Sequence, residues 1–135
     1  MAEERPSGAP PEREFTVEQA DAMLPELRRL LGEIRDARRV VLAESGPVRR
    51  AAASNGGGAA AIRVHEALGA IRRGVEAVAE HGVLLRDADM GLVDFPSRRD
   101  GRPAFLCWHM GEERVAHWHG PESSFLSRRP LDEGP

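Results

Sequence analysis

This chain of 135 residues contains no lysine and no tyrosine, and it has one cysteine. A single cysteine cannot close an internal disulfide, so a reducing cytoplasm is the expected location. All 19 basic residues are arginine, but 22 acidic residues leave a net charge of −3. A nucleic-acid-binding domain would gather excess positive charge on one patch. Here arginines alternate with Asp and Glu, as in "LRRLLGEIRDARR" (27–39), the pattern of a solvated helix face. Nucleic acid is therefore not an expected partner. No apolar run approaches the roughly 18 residues needed to cross a membrane, so no membrane partner is expected. Residues 1–14 are charged and proline-rich, unlike a signal peptide.

The chain suits a single domain at 15–127, with a disordered tail at 1–14 and a second tail at 128–135. Order is expected to begin at "FTVEQADAMLPEL". Thr16 is a good N-cap, and Gln19 can complete a capping box. Leu24, Leu27, Leu31, Ile34 and Val41 recur three and four apart, or at their multiples, interrupted by Arg38. This predicts a helix over about 16–44, kinked or restarted at Pro25, which has no N–H to donate. Pro47 and the glycines at 56–58 predict a break over 45–58. Val64, Leu68, Ile71, Val75 and Val78 predict a second helix over about 59–81, capped by Gly82. The two helices should pair antiparallel, like a short coiled coil.

Beyond Gly82 the period turns strand-like. "VLLR", "LVDFP", "AFLCWH" and "VAHWH" are separated by turn-forming stretches within 83–119. The expected fold class is α+β, a helical hairpin packed on a three- or four-stranded antiparallel meander. Taking Asp100-Gly101 as a two-residue turn pairs Asp94 with Cys107 and Val93 with Trp108. Taking Gly111-Glu112 as another pairs Leu106 with His117 and Trp108 with Val115. Alternation then puts Val93, Phe95, Leu106, Trp108, Val115, His117 and His119 on a core face. It puts Asp94, Cys107, His109, Arg114 and Trp118 on a mixed face. A one-residue bulge or a longer loop would reverse the second half of this assignment.

The stretch 101–120 holds three of the five histidines, the cysteine and both tryptophans, so candidate chemistry concentrates there. Asp94, Cys107 and His109 could supply three ligands to a transition metal such as zinc, and His117 with His119 a separate pair. No spacing signature such as CxxC or HExxH accompanies them. The plainer reading makes Cys107 a small buried hydrophobe and His109 a surface residue. On this reading no cofactor is expected. Cys107 with His109 makes a poor nucleophile–base pair, because i and i+2 on one strand lie about 7 Å apart. Asp87 and Asp89 sit in a turn-like stretch, and "SNGGGAAA" lacks the GK[ST] ending of a phosphate loop. Trp118 is the candidate partner contact.

"FTVEQADAMLPEL", "GVLLRDADMGLVDFPSRRDGRPAFLCWHMGEERVAHWHG" and "FLSRRPL" resemble the bacterial and archaeal proteins grouped as domain of unknown function 2203. The resemblance spans about 15–131. It carries no activity to transfer. Where the pattern has Arg or Lys after "LCW", this chain has His109, which takes His109 out of any family-wide role. The residues the resemblance brings forward are Asp94, Arg102, Trp118 and His119, with Arg102 or Arg114 as a partner for the Asp94 carboxylate. The leading expectation is a non-enzymatic interaction or scaffold module. It would be a homo-oligomer joined through the helical hairpin, or a binder of another protein, because two long helices carry more apolar seam than a small sheet covers. The alternative is a metal-binding protein or small metalloenzyme using Asp, Cys and His of the meander.

Overall fold

A computed structural model describes residues 13–54 and 58–132. Most of the expected N-terminal tail, part of the expected linker and the last three residues lie outside them. The described chain is an α+β domain. Helices α1 (Val17–Ser54) and α2 (Gly58–Glu80) form a hairpin. Strands β1 (Leu84–Asp87), β2 (Leu92–Arg99), β3 (Arg102–His109), β4 (His117–His119) and β5 (Arg129–Pro130) form one antiparallel meander in that order.

The start of α1 follows the expected chemistry. Thr16 Oγ1 accepts from the Gln19 backbone N–H at 3.1 Å, and Gln19 Oε1 accepts from the Thr16 N–H at 2.9 Å, a reciprocal capping box. Phe15, just before the cap, is buried edge-on against Phe95. Helix α1 runs on through Pro25 and Pro47 to Ser54, where a break over 45–58 was expected. Each proline removes one backbone hydrogen bond. The alanines at 51–53 have the highest helix propensity and partly offset that cost. Helix α2 ends as expected. Gly82 takes φ +82°, its N–H reaches the Ala79 carbonyl, and the Val83 N–H reaches Val78, which satisfies two of the last carbonyls.

The core lies between the hairpin and one face of the sheet. Leu24, Leu27, Leu31 and Ile34 of α1 and Val78 of α2 meet Val93, Phe95, Leu106, Trp108 and Val115. On α2 the buried side is Ala67, Gly74 and Val78. Leu68 and Val75, expected in the seam, are exposed at its edge.

The β2–β3 hairpin has the expected register. Asp100 and Gly101 both take positive φ, as a type I′ turn requires, and Asp94 pairs with Cys107 and Val93 with Trp108. The β3–β4 register differs by one residue: Cys107 pairs with His117 and Phe105 with His119. The reason is the connection. The chain turns at His109, whose carbonyl accepts from the Glu112 N–H, then runs irregularly to 116. That loop is tied to α1, where Asp21 accepts from the Val115 N–H at 2.7 Å and Arg28 donates to the Glu113 carbonyl at 2.9 Å. With period 2, a one-residue slip turns every side chain over. Trp118 therefore goes to the helix side, packed on the core, and His117 and His119 go to the outer face with Asp94 and Cys107. Strand β5 comes from the stretch read as C-terminal tail. It completes a sheet of five strands, and Leu131 packs against the core.

Candidate functional site: a buried Asp–Cys–His cluster

The corrected register assembles the site. Asp94 on β2, Cys107 beside it on β3 and His119 on β4 all face away from the helices. One ligand-type atom from each lies within 4.8 Å of the other two, and all three residues are buried. Asp94 and His119 are each 3% exposed. The rest of the outer face holds Phe105, whose ring lies 5.5 Å from the His119 ring. The C-terminal segment crosses this face, with Phe125 edge-on to His109.

Buried polar atoms need partners. His119 Nδ1 lies 2.8 Å from the Gly120 carbonyl, which can only accept, so this nitrogen carries a hydrogen. The ring is thereby oriented with Nε2 on Asp94 Oδ2 at 3.0 Å. The same oxygen accepts from Arg86 Nε at 2.9 Å. Asp94 Oδ1, in contrast, is buried and accepts no N–H or O–H bond among the described residues; the one donor beside this carboxylate that remains is the Cys107 thiol, a weak one. Arg86 reaches this position through an irregularity in β1. Leu85 pairs with Val93 and Asp87 with Leu92, leaving Arg86 as the extra residue of a bulge. Its side chain is 46% exposed, so it runs from a buried carboxylate out to solvent.

Burial, and then the negative charge of Asp94, push the Cys107 thiol up to about 11, although Arg128 opposes the rise. Without a bound cation, that rise keeps Cys107 a thiol at neutral pH. Beside it sits a second polar group. Glu112 accepts two bonds from Arg128, at 2.9 and 3.1 Å, and one from the His109 N–H at 3.0 Å. Burial alone would raise the Glu112 carboxyl. The Arg128 and His109 bonds outweigh that and hold it below its ordinary value. His109 and His117 both face Glu112, at 3.6 and 3.4 Å.

Of the residues read from the sequence as ligands, the structure thus unites Asp94, Cys107 and His119. The expected trio with His109 is replaced by this one, and His109 and His117 face Glu112 instead. Neither Arg102 nor Arg114 reaches Asp94. Arg102 is exposed at the start of β3, on a shallow groove with Arg99 and Trp118, and Arg114 is exposed in the loop before β4. Arg99 lies 4.7 Å over the Trp118 ring. Arg86, Glu112 and Arg128 were not singled out from the sequence. Arg86 had a legible signal, because a β1–β2 hairpin brings it close to Asp94. Arg128 had none, because it depends on where the C-terminal segment folds back.

An α+β domain with a helical hairpin on one face of a meander, and a buried Asp–Cys–His cluster on the other, is the class these observations define. The chain belongs to the DUF2203 family of uncharacterised conserved proteins, whose profile matches residues 13–131. No curated protein and no solved structure matches it.

Proposed function

We propose that this chain is a metal-binding protein that holds one transition-metal ion on Asp94, Cys107 and His119. The observation that carries this reading is the convergence of a carboxylate, a thiol and an imidazole in one buried site, with Asp94 Oδ1 left without an N–H or O–H bond. A buried carboxylate oxygen without such a bond is costly, and a metal ion satisfies it. The His119 arrangement supports the reading further. A ring whose Nδ1 donates to a backbone carbonyl presents Nε2 as a ligand. Mixed O, S and N donors suit zinc, and three protein ligands leave a fourth position for water or another ligand. A thiolate ligand is best kept in a reducing compartment, in line with a cytoplasmic location.

Competition with a chromophoric zinc chelator tests this. The wild-type chain should take up one zinc per chain, and Asp94→Asn, Cys107→Ala and His119→Gln should each weaken uptake sharply. No uptake by the wild type, or equal uptake by all four proteins, overturns the reading.

The interaction reading keeps one specific observation in its favour. Helix α1 has 38 residues and spans about 57 Å, against about 27 Å for an eight-residue strand. Leu42 and Ile62, toward the loop end of the hairpin, are exposed with Leu68 and Val75. A second copy of the chain would cover them, and light scattering at micromolar concentration should then give a dimer mass. A monomer mass counts against it. This reading and the metal site occupy opposite sides of the sheet and do not compete.

A further inference from the structure

The geometry points to a small-oxyanion site formed by the metal's fourth position together with Arg86, an inference that rests on the metal reading above. Without metal, the Asp94 carboxylate is shared by Arg86 and the His119 ring, and Glu112 neutralises Arg128. A divalent ion held by the Asp94 carboxylate and the Cys107 thiolate is balanced by those two ligands. Asp94 is then committed to the ion, and the charge of Arg86 is left uncompensated at the edge of the site.

The shape of Arg86 completes the argument. Only its Nε is engaged with Asp94, and its guanidinium lies 5.4 Å from the Phe105 ring. Among the described residues its terminal nitrogens have no partner, and the side chain is half exposed on the edge strand β1. Two terminal nitrogens, with four N–H groups between them in a planar fork, match a carboxylate or phosphate. The β1 bulge is what places this fork beside the cluster, and bulges re-aim side chains in this way next to functional sites. The ligand class is therefore a small oxyanion, which binds the metal through one oxygen and Arg86 through the others. The remaining charged neighbours, Arg128 and Glu112, are engaged with each other and offer no competing fork.

The test uses the full chain loaded with cobalt(II), whose visible absorption reports its coordination. Inorganic phosphate and acetate are titrated separately, for the wild type, Arg86→Gln and Arg86→Lys. The expected result is a saturable spectral change with at least one of the two anions, and the tighter one identifies the phosphoryl or the carboxylate class. Arg86→Gln should keep its cobalt and bind that anion at least about tenfold more weakly, the loss of charged hydrogen bonds. Arg86→Lys, which keeps the charge but not the fork, should fall between. A cobalt spectrum that neither anion moves overturns the oxyanion site and leaves the metal site standing. Equal anion affinity in wild type and Arg86→Gln overturns the role of Arg86. Failure of the wild type to bind cobalt at all overturns the metal reading beneath both.

Discussion

Glu112 shows how single side chains hold the outer face together. Its carboxylate takes two bonds from Arg128 and one from the His109 N–H, and its backbone carbonyl accepts from Trp108 Nε1 at 3.0 Å. One residue thus anchors a core tryptophan, the β3 end and the C-terminal segment. Its carboxyl is held below the ordinary value of 4.5. A depressed acid stabilises the fold fully above its ordinary value, and that contribution is lost as pH falls through the depressed one. Arg128→Gln should therefore cost about 1–2 kcal/mol at pH 7. In urea unfolding followed against pH, the gap from wild type should stay constant down to about pH 5 and close below pH 4.5. A gap that persists unchanged at pH 3 would mean that Arg128 acts through packing instead.

At the scale of elements, the two hairpins of the meander differ in how far local sequence governs them. Asp100-Gly101 needs positive φ at both residues, and this pair accepts it, so the Asp94–Cys107 pairing was legible from the turn alone. Gly111-Glu112 has a similar look but a different fate. Its loop is positioned by Asp21 and Arg28, which lie 94 and 85 residues away from their partners along the chain. No local pattern carries that information, and the resulting one-residue slip is what brings His119 to Asp94. Strand β5 was hidden for another reason, since two residues have no period. The helix pair was legible in its stripes, but its seam is set by close approach. A Cβ on Gly74 would lie 2.6 Å from Ile34 Cγ1, which is fully buried. Gly74→Ala should therefore destabilise by about 1–3 kcal/mol through overpacking, despite the higher helix propensity of alanine. Thermal melts of the two proteins check this; an unchanged or raised Tm would place the helices farther apart than described.

The whole molecule is divided by its sheet. On one side the hairpin and the sheet enclose an aliphatic and aromatic core, with Ser97 Oγ donating to the buried Phe15 carbonyl at 2.6 Å. On the other, the C-terminal segment helps close over a line of polar side chains from Arg86 to Glu112. A groove between the helices, floored by Ala37, Val40, Ala67, Ala70 and Gly74, lies on the first side and shares no residue with the cluster. Among the described residues no helix is long and apolar enough to cross a membrane.

The central claim is that Asp94, Cys107 and His119 hold a metal ion. Elemental analysis of the chain, purified without a metal-binding tag and dialysed against metal-free buffer, tests it most directly. Close to one equivalent of a transition metal per chain, zinc foremost, is expected, with its loss in His119→Gln. A chain that carries none, and takes up none when zinc is added, would contradict it. The cluster would then be a buried ion pair beside a cysteine that only fills space.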